Sequence, residues 1–181
     1  MKKTVFLSLA LFVFIFLADC GIKLVPRYPE GRSLEENPPF TENRPARNVT
    51  NATVMNKVLY QKFLTEIKKF LGAPYLWGGA SPAGTDCSGL ISTLYKRAAN
   101  VDLPHSTTQL SQMGSNVHIK QIKFGDLVFF NNGQGKKPMH IGFYLVKGSF
   151  LHASETRGVI VSNLTDVPFK SQYLGAKRIL E

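Results

Sequence analysis

Cysteine is scarce: only Cys20 and Cys87 occur in 181 residues. No paired-cysteine framework and no close-spaced metal-ligand set can be built from two such distant thiols. Acidic residues are also few, 12 against 22 lysines and arginines, and the formal charge is +10. The basic clusters (Lys68-Lys69, Lys96-Arg97, Lys136-Lys137, Lys177-Arg178) are short and scattered. They suit an anionic polymer surface or plain solubility, and no nucleic-acid-binding motif accompanies them. Long apolar runs are missing except near the start. Val5 to Leu17 is interrupted only by Ser8, and its 13 residues are short for a comfortable membrane span.

That run follows Lys2 and Lys3, which gives residues 1–20 the form of an export signal. Leu17-Ala18-Asp19-Cys20 resembles a bacterial lipobox, in which the cysteine is lipidated and becomes the first residue; Asp19 departs from that pattern. Cys20 is therefore the expected lipidation site, tying the chain to a membrane outside the cytoplasm, with soluble release as the alternative. Residues 21–52 read as a flexible tether. Pro26, Pro29, Pro38, Pro39 and Pro45 fall here among many charges, and little apolar area is available to offset the entropy of ordering.

A folded domain is expected over 53–181, large enough for one core. Val54, Val58, Leu59, Phe63, Ile67, Phe70 and Leu71 recur at helical spacing, and Gly72 with Pro74 ends the pattern. A glycine- and proline-rich loop follows, and Thr85-Asp86 can cap a second helix whose buried face is Leu90, Ile91, Leu94, Tyr95 and Ala98. A short helix is expected within 107–113. The period then changes from 3.6 to 2, predicting strands over 126–130, 140–146, 149–153, 158–162 and 176–180. Helices first and short strands after indicate an α+β fold with an antiparallel sheet.

If Cys20 carries lipid, Cys87 is alone in an exported chain. It is then a buried filler, an intermolecular bridge or a reactive thiol. Its place in the first turn of a helix favours the thiolate and supplies N–H groups for an oxyanion, and Gly89 leaves a substrate backbone room to approach. Of four histidines, His118 lies in a polar connector and His105 follows Pro104 with no evident proton-transfer role. His140 and His152 are separated by an even number of positions on adjacent predicted strands. A three-residue loop near Lys147-Gly148 sets Gly142 opposite His152, leaving His140 a diagonal neighbour about 7–8 Å away. Gly142 would leave space between the rings. That geometry fits a base and its orienting partner, or two structural histidines on a sheet face. No metal or cofactor is expected.

Pro74-Tyr75-x-Trp77-Gly78-Gly79, Thr85-Asp86-Cys87-Ser88-Gly89-Leu90, Leu103-Pro104, Gly125-Asp126-Leu127-Val128-Phe129-Phe130, His140-Ile141-Gly142-Phe143-Tyr144 and His152-Ala153 resemble the NlpC/P60 family of cell-wall cysteine peptidases, in order and spacing. Small lipid-anchored members are the most similar. The resemblance implies a papain-like α+β fold, its N-terminal helices packed on a C-terminal antiparallel sheet. It implies Cys87 as nucleophile, His140 as base and His152 as orienting residue. Tyr75 is implied at the oxyanion or thiol, and Asp86 and Ser88 as substrate contacts. The implied substrate is peptidoglycan, cut at a D-alanyl–diaminopimelate or D-glutamyl–diaminopimelate bond by a monomer facing the periplasm or cell wall. The alternative is a non-catalytic wall-binding lipoprotein on the same fold. His105 departs from the arginine that relatives commonly carry after Leu-Pro.

Overall fold

The computed structural model describes residues 51–181 except Gln134, with side chains from Asn56 onward. The export signal, Cys20 and all but the end of the expected tether lie outside the described residues. Helix α1 spans Asn51–Phe70. Its buried stripe is Tyr60, Phe63, Leu64, Ile67 and Phe70, an i, i+3, i+4, i+7 series. Val58, expected inside, is 45% exposed, and Leu64 takes a core place instead. The core that receives the stripe is aromatic: Phe63 meets Tyr95 and Phe143 at 5.2 and 5.1 Å between ring centroids. Such pairs contribute about 0.5–1.5 kcal/mol beyond the area they bury.

A two-residue hairpin, β1 (Ala80–Ser81) with β2 (Gly84–Thr85), leads into helix α2, Cys87–Ala99. Asp86 is its N-cap, accepting from the Gly89 N–H at 2.7 Å, and Asn100 closes it in the left-handed conformation. The buried face is the expected one, Leu90, Ile91, Leu94, Tyr95 and Ala98. Helix α3 is short, Thr107–Leu110.

Six strands then form one antiparallel sheet: β3 Ser115–Val117, β4 Leu127–Phe130, β5 His140–Tyr144, β6 Ser149–Ser154, β7 Gly158–Asn163 and β8 Tyr173–Arg178, in spatial order β3-β8-β4-β5-β6-β7. Helix α4, Phe169–Gln172, precedes β8. This is the expected α+β arrangement. β3 and α4 have no counterpart in the sequence reading, and β8 starts earlier than 176 because Tyr173 and Gly175 pair with β4 across a register shift at Phe129/Phe130. Leu127, Val128, Phe129 and Phe130 are all buried. One face of the sheet carries the helices, with Leu127, Phe129, Ile141 and Phe143 in the main core. The other is closed by a smaller cluster of Val128, Phe130, Phe150 and Ala176 packed against Phe169 and Tyr173. A strand covered on both faces loses the inside–outside alternation. Among the described residues no helix is long and apolar enough to cross a membrane.

Candidate active site

Cys87 is the first residue of α2 and is a free, half-buried thiol. The capping carboxylate before it is heavily used. Asp86 Oδ1 accepts from the Gly89 N–H, from Ser88 Oγ at 3.0 Å and from His105 Nε2 at 2.8 Å; Oδ2 accepts from the Gly78 N–H at 2.8 Å. These bonds outweigh burial and hold the carboxyl below its ordinary pKa. Asp86 and Ser88 line the cleft but are both buried, and their polar atoms are engaged with each other. The network ties the glycine-rich loop, the start of α2 and the His105 loop into one unit.

Gly89 serves that unit by close packing rather than by leaving room for substrate. A Cβ at Gly89 would lie 2.0 Å from the Gly79 carbonyl oxygen and 2.8 Å from His105 Nε2. The expected open space is thus filled by the chain itself. Gly142 differs from expectation in the same way: its missing Cβ makes room for the Phe150 ring, 2.5 Å from where the Cβ would be, and not for the two imidazoles.

The histidine pair itself has the expected geometry. Phe143 pairs with Leu151 and Tyr144 with Phe150, and the Leu145 N–H donates to the Ser149 carbonyl, leaving a three-residue loop, Val146–Gly148. That register sets Gly142 across from His152. His140 Nε2 lies 2.8 Å from His152 Nδ1, with the rings nearly perpendicular at 89°. His152 Nε2 in turn lies 2.9 Å from Ser162 Oγ, a buried hydroxyl on β7. Sequence reasoning missed Ser162. Phe150 pairs with Ser162 and His152 with Ile160, so Ser162 is a diagonal same-face neighbour of His152, visible only once the β6–β7 register is known.

Strand β5 approaches the thiol at Ile141, the residue after His140. The N–H of Ile141, adjoining His140, and the N–H of Ser88 are directed at the Cys87 sulfur. Thr107 Oγ1, at the start of α3, lies 3.7 Å from Sγ; it too was missed. Tyr75 and Cys87 line a cleft of about 470 Å³, together with Trp77, His105, Thr107 and Met139. His105 therefore stands in the cleft wall, whereas His118 is exposed and caps a 3-10 turn through Nδ1.

The electrostatics depart from the sequence expectation for Cys87. Burial pushes its thiol up from the ordinary value of 9.0, and the Asp86 charge adds to this; the hydrogen bonds from Thr107, Ile141 and Ser88 work the other way but do not prevail. Burial lowers His140 to about 4. His152 is driven well below its usual value by burial, then by His140 and Arg157. Burial also raises Tyr75, helped by the charges of Cys87, Glu155 and Asp86. At neutral pH the thiol and both imidazoles are thus neutral, and His140, His152 and Ser162 form one hydrogen-bonded line. Among the described residues no group of three His, Cys, Asp or Glu side chains could hold a metal ion.

Comparison with known proteins places this geometry. The chain is 33% identical over 114 residues to the probable endopeptidase NlpC of Escherichia coli, covering 63% of this chain and 74% of that protein. It is 32% identical over 127 residues to the murein DD-endopeptidase MepS/murein LD-carboxypeptidase of Escherichia coli, covering 70% and 66%. A crystal structure of an NlpC/P60 family protein from Bacillus cereus superposes with a TM-score of 0.63 at 33% identity, covering 67% of this chain and 40% of that one. The fold is the papain-like α+β fold that those neighbours share. Residues 72–178, which carry the thiol, the histidine pair and the whole sheet, match the NlpC/P60 family model, and the chain belongs to that family.

Proposed function

We propose that this protein is a cysteine endopeptidase that hydrolyses amide bonds in peptidoglycan stem peptides or cross-links, at a D-alanyl–diaminopimelate or D-glutamyl–diaminopimelate bond. What supports it is a thiol at a helix N-terminus, neighboured by the strand residue that follows His140, whose Nε2 is held by a second histidine. A relative named as a murein DD-endopeptidase supports the substrate class.

In this reading Cys87 Sγ attacks the scissile carbonyl carbon while His140 Nδ1 takes the thiol proton. The neutral pair makes proton transfer part of the attack, with no standing thiolate beforehand. For Nδ1 to accept, the His140 proton must sit on Nε2, donated to His152 Nδ1. His152 then carries its own proton on Nε2, donated to Ser162 Oγ. Ser162 and His152 together select the productive tautomer of the base. The Cys87 N–H, the first-turn amide of α2 not otherwise engaged, and the Tyr75 hydroxyl receive the oxyanion. His140 returns its proton to the leaving amine, the C–N bond breaks, and a thioester remains on Cys87. Water, deprotonated by His140, then attacks the thioester and releases the acid.

The site residues work in a peptidase domain over 53–181, held outside the cytoplasm as a monomer by a lipid on Cys20 and the 21–52 tether. Digestion of purified muropeptides, with products identified by mass, tests the activity. Wild type is expected to release cleaved stem peptides and Cys87→Ala none. A folded wild type that cleaves nothing from acid to alkaline pH overturns the proposal. Mass spectrometry of the mature N-terminus tests the anchor, an unmodified terminus beyond Cys20 being the contrary result.

A further inference from the structure

The cleft over Cys87 does not end at Met139. Pro138 lines both that cleft and a second groove of about 390 Å³. Helix α3 walls both: Thr107 and Thr108 face the Cys87 cleft, and Ser111, one helical turn further, faces the groove. Its floor is sheet, where Phe129, Gly175 and Ala176 lie on β4 and β8, and a Cβ on Gly175 would meet no atom within 4 Å. The first cleft exposes two apolar side chains, Trp77 (84%) and Met139 (50%), beside His105 and Lys137. Lys136, Lys177 and Asn116 line the second groove, and Lys137 lines the first. Among the described residues none of the three lysines is ion-paired.

The two cavities meet at Pro138, so a ligand seated over Cys87 can extend toward a groove whose lining carries two lysines. We propose that the Lys136–Lys177 groove is a second substrate-binding site, taking a carboxylate-bearing peptide strand of cross-linked peptidoglycan beyond the bond presented to Cys87. The inference rests on the peptidase reading for its substrate class. Stem peptides carry free carboxylates at several residues, and a cross-link joins two of them, so a ligand spanning both pockets brings negative charge to the second. The exposed Lys136 and half-exposed Lys177 steer and retain such a ligand without contacting the scissile bond.

The test is binding to the full chain carrying Cys87→Ala, followed by the fluorescence of Trp77, the chain's single tryptophan. The probes are a cross-linked muropeptide dimer and the same dimer with its carboxylates amidated. Lys136→Gln with Lys177→Gln is expected to weaken dimer binding about fivefold to tenfold, the effect of losing two partly solvated ion pairs. It is also expected to abolish the preference for the charged dimer. Lys136→Gln alone, at an exposed position, should give a smaller loss of the same sign, should the Lys177 change disturb the sheet. Equal binding of charged and amidated dimers by the lysine-bearing chain overturns the inference and points to uncharged contacts such as glycan. So does an unchanged Kd in the double variant. Digestion by wild type separates the two readings. Cleavage with charge-blind binding removes the groove proposal alone; charge-dependent binding without cleavage removes the peptidase proposal alone.

Discussion

The burial of Cys87 makes the ionisation of its thiol the most exposed prediction. An unperturbed thiol at 9.0 is about one part in a hundred thiolate at pH 7, and Cys87 is displaced upward from that value. His140, held near 4, carries no proton at neutral pH and offers the thiolate no cationic partner. A ready-made thiolate–imidazolium pair would instead persist far into acid. The rate of iodoacetamide alkylation distinguishes them, because only thiolate reacts. In the absence of substrate the rate constant is expected to rise about tenfold per pH unit through neutrality, without an acid plateau. His140→Gln should leave that slope in place, since the imidazole is neutral already. A flat, fast alkylation rate between about pH 5 and pH 7, lost in His140→Gln, would refute the neutral-pair reasoning and imply that the helix N-terminus overcomes desolvation.

The same buried imidazole makes stability depend on pH. His140 is about 4 in the folded chain and 6.5 as its reference, so between those values the unfolded chain binds the extra proton and stability falls as pH falls. The loss attributable to His140 approaches about 3 kcal/mol at pH 4, with His152 adding to it; urea titrations of wild type and His140→Gln should differ in slope over that window and converge above it. Asp86→Ala removes an N-cap and strands donors from Gly78, Ser88 and His105, with an expected cost of about 2–4 kcal/mol in denaturant unfolding. Ser162→Ala frees His152 to take the other tautomer, so kcat in a muropeptide assay should fall about tenfold with KM little changed, and Ser162→Thr should recover part of it.

Features governed by local geometry were legible in the chain. The capping of α2 by Asp86 depends on residues three positions apart, and its buried face follows helical spacing. The 2.8 Å contact of His140 with His152 was legible for a similar reason: the pleat repeats every two residues, so an even separation and a three-residue loop settle which side chains share a face. The motifs around Cys87 also carried the family resemblance, because they hold the residues that build the site.

What depends on distant packing was not legible. Ser162 and Thr107 are ordinary hydroxyl residues until a register and a loop path bring them to His152 and Cys87. His105 has no evident role in the sequence, yet Asp86 and the missing Cβ of Gly89 give it one. In α1, Leu64 is buried and Val58 exposed, a choice set by the elements packed against the helix. The thiol shows the division most sharply. Its place at a helix start, which favours the charged form, is written in the sequence around residue 87. The desolvation that outweighs it is a sum over the packed elements around the sulfur, and only the tertiary structure supplies that sum.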